Sequence, residues 1–211
     1  EEEGEWSQEF VQQTPVEGGK ASQKTVMKIL YDNKYIYVAF KCYDSEPEKI
    51  QRYVGNRDQF LGDMVGVNFD SYHDQRTGYE FNTTAGGTQI DLMLNNNGDA
   101  DKNWNAIWYN ATAINDSGWT AEFKIPLNQL RYSTNENQVW GMHAWRWISR
   151  NSEEDQWSLI PRKNSGFIYS FGELHGISNL PKFHRFEFMP YTIGKAKLLS
   201  SVDKNNPFRK K

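Results

Sequence analysis

Two segments near the start of the chain, TVMKILYD (25–32) and YIYVAFKCYD (35–44), alternate in character and meet at Asn33-Lys34. A period of two sends successive side chains to opposite faces of an extended strand, so the pair reads as a β-hairpin. In the second run Ile36, Val38, Phe40 and Cys42 share one face, and Tyr35, Tyr37, Ala39, Lys41 and Tyr43 share the other. A chain patterned this way needs a second layer to cover its apolar face.

More strand-like runs follow at short intervals: DMVGVNFDS (63–71), TGYEFNTT (77–84), TQIDLMLN (88–95), AIWYNATAIN (106–115), GWTAEFKIP (118–126) and VWGMHAWRWIS (139–149). Gly, Asn, Asp or Pro punctuates nearly every gap. SEPEKIQRYV (45–54) and PLNQLRYS (126–133) are short enough for a helical turn each, and no long amphipathic helix is visible. Many short strands at this spacing predict an all-β, antiparallel β-sandwich with short helical turns. Aromatic residues make up 15% of the 211 residues, which predicts an aromatic-rich core. The length suits one β domain with an appendage.

The appendage begins near residue 180. Residues 182–211 carry eight Lys or Arg against Glu187 and Asp203, a net +6, in a chain whose total is -3. The rest of the chain is therefore acidic, at -9. A basic tail of this kind can meet nucleic acid or a membrane surface. Its short runs read better as a segment of separate origin, and nucleic acid is not expected as a partner. The boundary falls at 179–182, with 1–180 as the sandwich and 181–211 as a linker and the start of something larger. The lone Cys42, in an apolar run, reads as a buried inert thiol. No stretch approaches the roughly 18 apolar residues of a membrane-spanning helix. A start at EEEGEW without Met fits a chain from which a signal segment has been removed.

Six segments follow one another in an order that resembles the family-9 carbohydrate-binding module. They are TVMKILYDNKYIYVAFKCYDSEP, GDMVGVNFDSYHDQRTGYEF, GTQID, GWTAEFKIPLNQLRY, VWGMHAWRWISRNSEEDQW and GELHGI. The likeness is nearer to a subgroup in envelope proteins of Bacteroidota-type bacteria, where the module precedes an outer-membrane-barrel-like domain. FHRFEFMPYTIGKA (183–196) looks like the first strand of that domain. The resemblance implies a jelly-roll-like sandwich that binds glycan, with Trp residues clamping a sugar ring and calcium bracing the loops. It also implies a place in the cell envelope, at the outer membrane, in the periplasm or on the surface, within a system for carbohydrate breakdown. The family's opening strand is reduced here to EEEGEW, with Trp6 retained.

Sugar recognition needs an aromatic face for the ring C–H groups and planar polar side chains for the hydroxyls. Trp104 and Trp108, in or beside the loop NNNGDADKNWNAIW, and Trp157, after an acidic turn, are expected as clamps. Arg57, Asn82, Glu122, Arg146 and Arg150 are expected as hydrogen-bonding partners. Trp119 shares a face with Ala121, Phe123 and Ile125 and is expected in the core. Alternation in the last run sets Trp140, Met142, Ala144, Arg146 and Ile148 against Gly141, His143, Trp145, Trp147 and Ser149. Trp145 and Trp147 with His143 form either a platform or core. The expected arrangement is Trp145 and Trp147 inside with Arg146 and Arg150 outward, and Glu122 within pairing reach of Arg146. Asn95, Asn97, Asp99 and Asp101 offer hard oxygen ligands at alternate positions, which suits Ca²⁺. No organic cofactor is expected.

Catalysis finds little support. The chain has no Gly-rich phosphate loop, HExxH or GxSxG, and its four His are scattered. No acid pair is singled out as flanking a cleft, as glycoside hydrolysis requires. The reading is a non-catalytic glycan-binding domain. Its rivals are a structural domain docked on the barrel, a glycan hydrolase, and a haem-binding sandwich using Met142 or His143.

Overall fold

The computed structural model describes residues 5–182 and 190–194. Its strands in chain order are β1 (Val11–Thr14), β2 (Gly19–Lys20), β3 (Thr25–Tyr31), β4 (Tyr35–Tyr43), β5 (Met64–Asp70), β6 (Gly78–Thr84) and β7 (Gln89–Asn95). They continue with β8 (Asp99–Asp101), β9 (Tyr109–Asn115), β10 (Gly118–Pro126), β11 (Asn137–Ile148), β12 (Glu153–Gln156) and β13 (Gly172–Ser178). Short 3-10 turns at Pro47–Lys49 and Leu127–Gln129 fall inside the two segments expected to make helical turns.

All pairings are antiparallel. The larger sheet runs β2-β1-β12-β11-β5-β6-β7-β8, and the smaller β3-β4-β10-β9. β11 is twelve residues long and organises the large sheet. One edge pairs with β5 from Gly141 to Trp147; the other is shared, β13 taking its first half and β12 its end.

The two sheets pack face to face because their central strands each have an apolar face to bury. The small sheet contributes Ile36, Val38, Phe40 and Cys42 from β4 and Trp119, Ala121, Phe123 and Ile125 from β10. The large sheet contributes Val65, Val67 and Phe69 from β5, Phe81 from β6 and Trp140, Met142 and Ala144 from β11. Trp119 and Trp140 are among the largest fully buried side chains. Burial pushes the Cys42 thiol up to about 12, so it packs as a small apolar group.

The face assignment of β11 is the reverse of the sequence expectation. Trp140, Met142, Ala144, Arg146 and Ile148 point inward, and Arg146 is wholly buried. Trp145 and Trp147 lie on the outer face and are half-buried. Arg146 is tolerated inside because it spans the sandwich. Its Nη1 donates to the Tyr43 carbonyl at 2.9 Å and to Thr25 Oγ1 at 3.1 Å on the small sheet. Asp44 lies 3.7 Å from its Nη2, and Arg150 grips the same carboxylate with two bonds of 2.8 Å. Glu122 is on the outer face of the small sheet, the opposite side from Arg146, so the expected pair does not form.

The run expected to open a downstream barrel, FHRFEFMPYTIGKA, lies outside the described residues except for 190–194, which form no strand.

Candidate functional site

The sequence-chosen residues do not gather in one place. Trp108 is buried and stacked on Phe123, with ring centroids 5.3 Å apart and planes 11° apart. Trp104 closes against Tyr79 and Phe81 at 5.2 and 5.8 Å. The loop carrying both therefore turns back over the core edge. Asp91 is the hook: it accepts from the Ala106 N–H at 2.6 Å and from Trp108 Nε1 at 3.3 Å. Arg57 also pairs with Asp91 and donates to Gln89 Oε1 and the Ala106 carbonyl. The expected rim clamp at Trp108 and the expected free guanidinium at Arg57 are corrected to structural roles. Arg146 and Arg150 are likewise committed to Asp44. Trp157 packs against the core cluster and lies over Gly172, where a Cβ would meet its ring at 2.7 Å.

Asn82 is the exception, because it belongs to a polar and aromatic patch on the outer face of the large sheet. Register assembles that face in three rungs. His143 stands opposite Asn68, which stands opposite Glu80 and then Leu92. Next, Gln156, Trp145, Gly66, Asn82 and Ile90 are aligned. The third holds Glu154, Trp147, Met64 and Thr84.

Gly66 is required at the centre of the second rung. A Cβ there would stand 2.0 Å from Asn82 Oδ1 and 2.6 Å from Trp145 Nε1. The amide and the indole edge thus converge over bare backbone. Asn82 Nδ2 donates to Glu80 Oε1 at 2.8 Å, while Asn82 Oδ1 is buried without a partner among the described residues. Burial pushes the Glu80 carboxyl up; the bond from Asn82 opposes this, and the Glu154 charge adds to it.

The first rung is closed by the segment after β12. Phe171 stacks on the His143 ring at 5.6 Å and 16°, and Phe167 meets it edge-on at 5.6 Å. His143 is fully buried, so it stays neutral with its value pushed down to about 3, and neither ring nitrogen has a partner among the described residues. Met142 and His143 project to opposite faces, so no single bound group reaches both.

The third rung is covered at Met64 and Thr84, which are buried, and is half-open at Trp147 and Glu154. A groove of about 410 Å³ runs beside it, lined by Gln13, Asn97, Glu154, Gln156, Arg162 and Asn164 among others. Gln156 is oriented by two bonds, donating to Glu154 Oε1 at 2.7 Å and accepting from the Ile160 N–H at 2.8 Å. Half-buried Trp145 and Trp147 flank these planar polar groups. Glu80, Glu154 and Gln156 carried no special signal in sequence.

The expected calcium ligands sit at the β7–β8 turn. Asn95 and Asp99 are register partners, and Asp101 shares their face. Asn97 fits less well, because its Oδ1 already accepts from the Tyr169 N–H at 3.0 Å.

Comparison with known proteins bears on this geometry. Residues 3–157 match the family described as carbohydrate family 9 binding domain-like. Among solved structures, a Bacteroides uniformis protein described as a candidate carbohydrate-binding protein superposes with a TM-score of 0.65 at 12% identity, over 82% of this chain and 86% of that one. A family-9 carbohydrate-binding module of Caldicellulosiruptor kristjanssonii, in complex with cellotriose, gives 0.58 at 14% identity over 82% of each chain. The same module in complex with glucose gives 0.58, over 85% and 87%. A search of curated proteins finds no match.

Proposed function

The chain belongs to the carbohydrate family 9 binding domain-like family, and from that premise we propose that it is a non-catalytic glycan-binding domain. Its sugar site is the open end of the large sheet's outer face. The observation that carries this is the pairing of half-buried Trp145 and Trp147 with Gln156 and Glu154, which line the groove. Indole faces take the C–H side of a pyranose, and fixed amides and carboxylates take its hydroxyls. Nothing in this arrangement requires bond cleavage, since stacking and hydrogen bonding suffice for recognition. The structural neighbours bound to glucose and cellotriose support a neutral glucan as the first probe.

We place the domain in an envelope protein ahead of a barrel-like domain, supported by the sequence resemblance. Calcium at Asn95, Asp99 and Asp101 would brace the turn that carries Asn97 to the groove.

Calorimetric titration with cello-oligosaccharides, with and without EDTA, tests this reading. Trp147→Ala is expected to weaken binding at least tenfold, about 1.4 kcal/mol or more, with little loss of stability. Gly66→Ala is expected to weaken binding as well by displacing Trp145, and to cost some stability because its Cβ crowds the buried Asn82. Wild-type-like affinity in both variants would place the sugar elsewhere. A folded wild type that binds no glycan would favour the structural alternative.

A further inference from the structure

The outer face of the small sheet is a second surface with its own chemistry. Register gives three rungs across β3, β4, β10 and β9: Val26, Lys41, Thr120 and Ala113; Lys28, Ala39, Glu122 and Ala111; Leu30, Tyr37, Lys124 and Tyr109. The middle rung is low because Ala39 and Ala111 are small. The third rung rises beside it as the rings of Tyr37 and Tyr109. The result is a trough of about 520 Å³ whose floor and walls are mostly apolar. Tyr109 is 56% exposed, so its ring is available to a ligand.

The charges on this face are unusual for an acidic chain. Lys28, Lys41 and Lys124 stand against a single Glu122. Among the described residues, none of these three lysines makes an ion pair, whereas Lys24 and Lys49 pair with Glu9 and Glu46. They rest on rings instead. Lys28 and Lys41 lie 4.9 and 4.2 Å from the Trp6 centroid, and Lys124 lies 4.2 Å from Tyr35 and 6.0 Å from Tyr109. Asp32 is the carboxylate nearest in effect to Lys124. It is already held by the Lys34 and Tyr35 amides and the Tyr37 hydroxyl.

We infer that this trough binds a carboxylate-bearing oligosaccharide, a uronate chain. The tyrosine rings and the alanine floor take the apolar side of the sugars, and the lysines take their carboxylates. Strand geometry separates Lys28 from Lys124 by about 12 Å at Cα, two strands and one rung apart. Their ammonium groups therefore meet charges on different sugar units, and a single small anion would not span them. Glu122 lies between the two and accepts hydroxyl hydrogen bonds. Its charge disfavours a densely sulfated chain, which would crowd anions against it, and admits one with a single carboxylate per unit. The inference shares the glycan class with the proposed large-sheet site but uses none of its residues.

The test is calorimetric titration of the whole chain with a tetragalacturonate and, separately, with a neutral cello-oligosaccharide. Circular dichroism and thermal melts confirm the fold of each variant. Lys28→Ala/Lys124→Ala is expected to weaken uronate binding at least tenfold and leave the neutral sugar unchanged. Glu122→Gln is expected to strengthen uronate binding severalfold, and added salt to weaken it. Trp147→Ala is expected to have no effect on uronate. No uronate binding by the folded wild type overturns the inference. So does uronate binding that ignores the lysines, or that is lost in Trp147→Ala, which would assign it to the large sheet. Failure with uronate alone leaves the neutral-glucan reading standing. Failure with the neutral sugar alone removes that reading and leaves this one.

Discussion

Arg146→Ala is expected to destabilise the protein by about 3–5 kcal/mol, the range for breaking a buried ionic network by removing one partner. Arg146 is wholly buried and belongs to the large sheet, yet its acceptors, the Tyr43 carbonyl and the Thr25 hydroxyl, belong to the small one. Removing it leaves both short of a donor in a place water does not reach, and opens a cavity as well. It also deletes the cation facing Asp155, its register partner on β12. Asp44 survives better, because Arg150 holds both its oxygens. Arg146→Lys should recover only part of the loss, since one ammonium cannot reproduce the planar fork. At roughly 2–4 °C per kcal/mol for a domain of this size, Arg146→Ala should lower the melting point by about 10 °C. Urea unfolding checks this, and a loss under about 1 kcal/mol would mean that Arg146 does not tie the sheets together.

The same residue shows what alternation in a sequence can and cannot say. The runs that became β3, β4, β5, β6, β7, β9, β10 and β11 were visible because each has an apolar face. β4 alternates in burial along its whole length, as its sequence does. In β11 both faces carry large side chains, so period two established that there were two faces without saying which was inside. The rule that charged residues face water then pointed the wrong way. Asp44 and the backbone acceptors that overrule it are distant in sequence. β12 reads EEDQ and resembles an acidic turn, because its inward side faces Arg146 and its outward side faces the groove. No apolar period exists there to detect. β8, a three-residue exposed ribbon, left equally little trace.

For the proposed site, the sequence offered residue types but not their placement. Trp beside Arg, Asn and Glu suggested sugar recognition, but the chosen residues do not gather in one place. The loop tryptophans looked available only because loops usually are. Asp91, on the inner face of β7, draws that loop inward through the Ala106 amide and the Trp108 indole, and nothing local announces it. Conversely, Asn82 entered the candidate set, and its partners Glu80 and Trp145 follow from β-sheet register alone once the strands are paired.

Stability is expected to fall as pH rises from about 6.5 to 8, and Asp155→Asn should remove most of the fall. Burial, with the charge of Glu153 beside it, pushes the Asp155 carboxyl from 3.8 up to about 8, against the opposing pull of Arg146. The folded protein therefore keeps a proton that the unfolded chain has released. Its contribution is complete below 3.8 and is lost as pH climbs through about 8, at no more than about 1.4 kcal/mol per pH unit. His143 acts in the opposite sense. With its value held near 3, it stays neutral when folded while the unfolded chain takes a proton below 6.5, so it costs stability as pH falls. Between about 4 and 6.5 the two slopes oppose each other; above 6.5 the histidine is silent and the Asp155 slope stands alone. Glu80, Asp63 and Asp70, all pushed up by burial, add in the same direction as Asp155 wherever they still hold a proton. Urea unfolding at several pH values across this window measures the slope. Asn matches the neutral acid in size and charge, so the variant should lose most of the slope. An identical slope in wild type and Asp155→Asn would assign the titration to another group.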